Sequence, residues 1–159
     1  MFQAGWRAMD VYQERVHQDR EAAKIKLLEP WLVPIITLFE GRIVDKPDMP
    51  TTEYSTGGFV EHEIIMIGGA LFLVVEMKIG LFRDDNLAQL FLELLSAAKL
   101  NKDTGFGDLR VHGLLTDLST FCFYSYDPVN ETFNPDEDIL VNVRRDDFCS
   151  GMIYVEFSV

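Results

Sequence analysis

The sequence GGALFLVVEMKIGL (residues 68–81) combines a turn, a buried strand and two charges. A Gly-Gly pair before a continuous apolar run predicts the turn of a β-hairpin followed by a buried strand. The apolar run ends in Glu76, Met77 and Lys78, after which apolar residues return. A carboxylate and an ammonium are costly to place at the end of a buried strand. The fold must therefore gain something from Glu76 and Lys78.

The composition predicts a single globular domain over residues 1–159, because 48% of the residues are hydrophobic and 25% are charged. We expect no membrane association, since no apolar run reaches the roughly 18 residues of a membrane span and no signal peptide is visible. The two cysteines lie far apart, which favours a reduced intracellular protein, cytoplasmic or nuclear. The net charge of −12 argues against a broad basic surface for nucleic acid.

Periodicity and turn residues predict alternating helices and β-hairpins. The expected fold is therefore α/β or an α+β sandwich, with a mixed β-sheet flanked by helices. In chain order, we predict a helix over 7–29 ended by Pro30, a second helix up to Gly41, a loop over 45–58 with at most one short strand, a hairpin of 59–67 and 70–81, a helix over 84–102, a hairpin of 109–117 and 120–127, a loop over 127–138, and strands over 139–144 and 151–159.

The hairpin places several carboxylates together. If the chain turns at Gly68-Gly69, opposite residue numbers sum to about 137, so that Glu61 faces Glu76 and Glu63 lies further along the same face. Carboxylates this close repel each other unless a cation is present, and hard cations such as Mg²⁺ or Mn²⁺ bind carboxylates. A lysine beside them suits positioning a water molecule or neutralising a developing negative charge. The pattern thus indicates metal-assisted hydrolysis of a phosphodiester.

These residues resemble the PD-(D/E)XK nuclease superfamily, which has the restriction-endonuclease-like fold. Its members carry an acidic residue on one hairpin strand, a Glu/Asp-x-Lys on the next and a helix directly afterwards. Here Glu76-Met77-Lys78 is followed by DDNLAQLFLELL. The resemblance covers roughly residues 35–125. The DNLAQ helix and the GLLTD…FYSYD hairpin also resemble uncharacterised fungal proteins.

The resemblance implies roles for individual residues. Glu76 and a first-strand acid, Glu63 or Glu61, would bind the metal, and Lys78 would orient the attacking water. Some members carry a glutamine in the helix after the hairpin, which Gln89 would match. Many contribute a glutamate from the helix before the hairpin, which Glu40 would match. The superfamily usually has an aspartate on the first strand of the hairpin. Asp48, in the sequence Pro47-Asp48, ranks behind Glu63 as the first-strand metal ligand, because we expect Asp48 to lie in a loop.

The implied function is a Mg²⁺- or Mn²⁺-dependent nuclease acting on DNA or RNA, with short or single-stranded substrates favoured by the acidic charge. One alternative is that Glu76 and Lys78 are simply solvated at a strand end. Another is an inactive nuclease-like fold that binds a protein partner, or a homodimer formed through exposed Trp6 and Trp31. We interpret His112 as a core histidine, Cys122 as a structural thiol and the acidic NPDEDI segment as a solvated turn.

Overall fold

The computed structural model describes residues 3–12, 21–49, 51–54, 58–65, 69–78, 84–118, 120–140 and 156–158. Its helices and strands are α1 (Gln3–Tyr12), α2 (Glu21–Thr37), β1 (Val44–Met49), β2 (Gly58–Ile65), β3 (Leu71–Met77), α3 (Asp84–Asp103), β4 (Val111–Thr116), β5 (Thr120–Asp127), β6 (Thr132–Leu140) and β7 (Glu156–Ser158). The fold is α+β, with a mixed open sheet flanked by helices, as the sequence predicts.

The seven described strands form one sheet in which spatial order follows chain order. Strands β3 and β4 pair in parallel, and the other described pairings are antiparallel. A parallel pair needs a crossover connection, which α3 provides. In the β2–β3 pairing, His62 lies opposite Val75 and Glu63 lies opposite Val74, so the predicted register is confirmed.

Helices cover both faces of β3. On one face, Val74 packs with Leu90 and Leu94 of α3. On the other face, Val75 and Met77 pack in a second cluster with residues of α2. Burial on both faces explains why β3 is a continuous apolar run rather than an alternating one.

Helix α2 runs through both of its prolines, so the predicted helix end at Pro30 is wrong. A proline inside a helix removes one backbone hydrogen bond and crowds the preceding turn. Burial compensates here, because Leu27 is 1% exposed and Leu28 is 6% exposed, and Leu28 packs with Val75 and Met77 of β3. The middle of the first predicted helix, residues 13–20, lies outside the described residues, and its two ends belong to α1 and α2.

The predicted loop over 45–58 contains the one short strand that it allowed, β1, whereas most of the predicted loop over 127–138 belongs to β6. Each strand contains a proline that breaks the alternating pattern on which the prediction relied. Pro47 lies on the edge strand β1, where the pairing register shifts between Lys46 and Asp48. Pro135 lies on a part of β6 beyond the residues that pair with β7. Both positions agree with the rule that proline is tolerated at sheet edges and irregularities.

The acidic NPDEDI segment is therefore part of β6 rather than a turn. Of the predicted strand over 139–144, residues 139–140 belong to β6 and the rest lie outside the described residues. Among the residues that the structure describes, no helix combines the length and the apolar character that a membrane crossing requires.

Asn101, near the end of α3, joins this helix to the beginning of β3. Its side chain is 1% exposed. The amide nitrogen donates a hydrogen bond to the Leu71 carbonyl at 2.8 Å, and the amide oxygen accepts one from the Leu71 N–H at 2.6 Å. One side chain thus satisfies both backbone groups of a buried residue. This contact fixes how β3 lies beneath α3.

We expect Asn101→Ala to lower the free energy of unfolding by about 2–4 kcal/mol, because two buried backbone groups would lose their partner. Chemical denaturation monitored by circular dichroism measures the change. Lys102→Ala is the matched control, since Lys102 is exposed on the same helical turn, and should change stability by no more than about 0.5 kcal/mol. Similar values for the two variants would show that Asn101 does not anchor β3.

Candidate functional site

Glu76 lies in the interior of the protein, on the face of β3 that α3 covers. It is 1% exposed. In the parallel pairing it lies beside Leu115, which belongs to the core cluster beneath α3. Strand alternation places Val75 and Met77 on the opposite face. The alternative interpretation that Glu76 is solvated at a strand end is therefore wrong, and the fold has a carboxylate in its core.

Lys78 is buried with Glu76. The residue is 8% exposed, and its ammonium forms an ion pair with the Glu76 carboxylate. Its Nζ also donates a hydrogen bond to Oε1 of Gln89 at 2.9 Å. The backbone N–H of Lys78 donates to the carbonyl of Thr116, the last residue of β4, at 2.9 Å. These contacts fix both ends of Lys78.

Gln89 and Glu93 extend the contact along α3. They are four residues apart and therefore lie one above the other on the helix surface. Nε2 of Gln89 donates a hydrogen bond to Oε1 of Glu93 at 3.0 Å. Glu93 is 6% exposed, whereas Gln89 is an exposed residue. The two pairs form one polar network, called here the β3–α3 cluster: Glu76, Lys78, Gln89 and Glu93.

The structure thus brings together three residues that the sequence singles out: Glu76, Lys78 and Gln89. The backbones of the first-strand acids also lie in the predicted register, and continuing the His62–Val75 pairing by one residue places the backbone of Glu61 opposite Glu76. The side chains of Glu61, Glu63 and Asp48 lie outside the described residues. Asp48 is on strand β1 rather than in a loop.

Glu40 is not joined to the β3–α3 cluster by any contact among the described residues. It is exposed in the turn after α2, with a backbone φ of 51°. Helix α2 packs on the face of the sheet that carries Val75 and Met77, opposite the face of Glu76. A metal-binding role for Glu40 stays a prediction without geometric support.

Glu93 is the member of the cluster that the sequence prediction missed. The apolar face of α3 is only partly as predicted: Leu90, Leu94 and Ala98 are buried, while Leu87, Phe91 and Leu95 are half-buried. Polar residues share the buried side, namely Glu93, Ser96 and Asn101. The sequence contained one signal for this residue: Glu93 comes three residues after the buried Leu90 and directly before the buried Leu94.

The cluster contains donors suited to a hard divalent cation, since Glu76 and Glu93 supply carboxylate oxygens. Among the described side chains, no group of three His, Cys, Asp or Glu residues is arranged to bind a metal ion. A complete Mg²⁺ or Mn²⁺ site would therefore need Glu61 or Glu63 from β2. All of these residues supply carboxylate oxygens, which are the ligands that such a cation prefers.

Among the described residues, Cys122 and His112 are two further titratable side chains that the sequence analysis considered. Burial, assisted by the negative charge of Asp138, raises the pKa of the Cys122 thiol to about 11, so this thiol is protonated near neutral pH. That agrees with a structural role. His112 is not a core residue as expected, because 37% of its side chain is exposed, and its Nδ1 lies 4.0 Å from Oδ2 of Asp136.

Comparisons of the chain with protein-family models, with curated proteins and with solved structures give no match. The function of the β3–α3 cluster therefore has to be argued from its own geometry.

The buried Glu76–Lys78 pair can be tested for a structural role. Lys78→Met leaves the Glu76 charge without the Lys78 ammonium and should lower the free energy of unfolding by about 3–5 kcal/mol. The double variant Glu76→Leu with Lys78→Met replaces the pair with apolar groups of similar size and should recover most or all of this loss. Thermal and urea denaturation of the three proteins measure both changes.

If the double variant is instead as unstable as Lys78→Met, the pair is needed for stability. A functional reason for its burial would then be unnecessary.

Proposed function

We propose that this chain is a divalent-metal-dependent nuclease with the restriction-endonuclease-like fold of the PD-(D/E)XK superfamily, and that the β3–α3 cluster is its active site. The observation that carries the proposal is the burial of Glu76 and Lys78 on one strand. Apolar residues could replace such a pair at little cost in stability. Active sites, in contrast, are where proteins place charged groups in desolvated surroundings.

The position of the pair in the sheet supports the same proposal. Lys78 directly follows β3, and its backbone bonds to the last residue of the parallel neighbour β4. In open sheets with helical crossovers, ligands bind beyond the carboxyl ends of the parallel strands. The exposed residue Gln89 lies next to this end through its bond to Lys78. The cluster therefore has a side open to solvent.

In the proposed site, Glu76 and a β2 acid, Glu63 or Glu61, bind Mg²⁺ or Mn²⁺. A bound cation of this kind polarises a phosphoryl oxygen and stabilises the charge that develops during hydrolysis. Lys78 donates a hydrogen bond to the attacking water or to a phosphate oxygen. Gln89 accepts from Lys78 and limits the directions that its ammonium can take.

The acidic charge of the chain restricts the substrate. Lys99 pairs with Asp103 at 2.6 Å, and Arg110 pairs with Asp127 at 3.1 Å, so neither charge is left for a phosphate. Hydrogen bonds, chiefly from Asn130, lower the pKa of Asp127 to about 2, which keeps it ionised beside Arg110. Because these two cations are paired and the net charge of the chain is −12, affinity for long duplexes should be low. Short or single-stranded DNA or RNA is the favoured substrate.

An inactive nuclease-like fold that binds a protein partner or a second copy is the alternative. Exposed apolar residues in one continuous segment favour it: Val33, Ile35, Leu38, Phe39 and Val44. The predicted contact surface around Trp31 does not favour this alternative, because the Trp31 ring is half-buried and lies against Gly5 of α1. The side chain of Trp6 lies outside the described residues.

Calorimetric titration with Mn²⁺, together with cleavage assays on single-stranded DNA and RNA, tests the proposed activity. Wild type should bind Mn²⁺ and cleave only in its presence, whereas Glu76→Gln should lose measurable binding and at least roughly 100-fold in cleavage rate. Glu29→Gln is the control, since Glu29 is exposed on α2, and should behave as wild type.

Absence of both Mn²⁺ binding and cleavage in a folded wild-type protein would refute the nuclease proposal and favour the interaction module. Equal binding by wild type and Glu76→Gln would place the metal elsewhere.

A further inference from the structure

Glu93 has no evident reason to be buried as a packing residue. Its helical neighbours on the covered side include Leu90, Leu94 and Ala97, each of which is 0% exposed. An apolar side chain at position 93 would suit this surface better, because burial of a carboxylate costs free energy unless it is compensated. A hydrogen bond from Gln89 contributes to this compensation.

The amide of Gln89 has two ends of nearly the same shape and opposite polarity. The oxygen accepts hydrogen bonds and the nitrogen donates them, and a half-turn of the amide exchanges the two. Beside an ammonium, the oxygen attracts and the NH₂ group repels. The chemistry of Lys78 therefore depends on which end of the amide faces it.

Oε1 of Glu93 accepts the hydrogen bond that Nε2 of Gln89 donates. Glu93 therefore selects the orientation in which Nε2 of Gln89 points to it, at 3.0 Å, and Oε1 points to Nζ of Lys78, at 2.9 Å. The same acceptor could not be supplied by a neutral apolar residue. The Gln89 amide thus connects Glu93 to Lys78.

We propose that Glu93 is a positioning residue that fixes the orientation of the Gln89 amide and, through it, the direction in which the Lys78 ammonium points. The importance of this for catalysis rests on the proposed function, in which Lys78 acts on the attacking water or the phosphate. The orientation of the amide itself does not depend on catalysis and can be observed in the metal-free protein.

Nuclear magnetic resonance of the ¹⁵N-labelled protein tests the orientation directly. At a fixed neutral pH, one side-chain amide hydrogen of Gln89 in wild type should exchange slowly with water, because Nε2 donates it to the buried Glu93. In Glu93→Leu, which has a similar size and no acceptor, this protection should be lost. Glu93→Asp should recover part of it, and Glu29→Leu, altered at an exposed site, should leave the signals unchanged.

Cleavage kinetics supply the functional readout. Glu93→Leu should lower kcat by roughly 10–100-fold, the usual effect of removing a residue that orients a directly acting group. KM should stay nearly constant, because Glu93 does not touch the substrate, and Glu93→Asp should restore part of kcat.

A Gln89 amide that exchanges with water in wild type as fast as an exposed glutamine side chain, or equally fast in wild type and Glu93→Leu, would overturn the proposal. The wild-type measurement decides this even if Glu93→Leu does not fold. If wild type cleaves nothing but its Gln89 signals behave as expected, the proposed nuclease activity fails while the positioning of the amide by Glu93 is supported.

Discussion

The buried ammonium of Lys78 is the constraint on which the rest of this structure depends. A charge that is largely removed from water needs an opposite charge and hydrogen-bond acceptors within reach. Glu76 supplies the charge from the same strand, and Gln89 supplies an acceptor from α3. Strand and helix must therefore keep a fixed relative position. Glu93 adds a further carboxylate to this requirement.

The fold meets the requirement by anchoring α3 to β3 at both ends of the strand. Asn101 binds both backbone groups of Leu71 at the beginning of β3, and the Lys78–Gln89 hydrogen bond joins the two elements at its other end. Between them, close packing fixes the separation: a Cβ atom added at Gly113 of β4 would lie 3.1 Å from Leu90. The crossover helix is thus positioned by polar contacts at its ends and by apolar packing in its middle.

Much of this arrangement could be predicted from the sequence. The hairpin register followed from one Gly-Gly turn, and the bounds of α3 followed from an acidic start and a helical apolar period. The prolines account for most of the errors. Helix α2 continues through Pro30 because its buried residues pack against the sheet, and strands β1 and β6 accept Pro47 and Pro135 where few ladder bonds are lost. Such tertiary compensation is invisible in a local pattern.

The cluster itself could be predicted in part. Glu76 and Lys78 stood out because two charges follow an apolar strand, whereas Gln89 was implied only by the resemblance to a nuclease superfamily. Glu93 did not stand out, since a glutamate on a helix is normally solvated. Only the position of α3 over β3 shows that this glutamate is buried and bonded to Gln89. The side-chain contact, rather than the pattern, identifies it.

X-ray diffraction from crystals grown with Mn²⁺, recorded near the manganese absorption edge, would test the central claim most directly. The proposed role of the cluster predicts an anomalous peak about 2.0–2.2 Å from a Glu76 carboxylate oxygen, with Glu61 or Glu63 as a further ligand. A well-ordered Glu76 that contacts the Lys78 ammonium, with no anomalous peak beside it at saturating Mn²⁺, would contradict a metal-dependent active site.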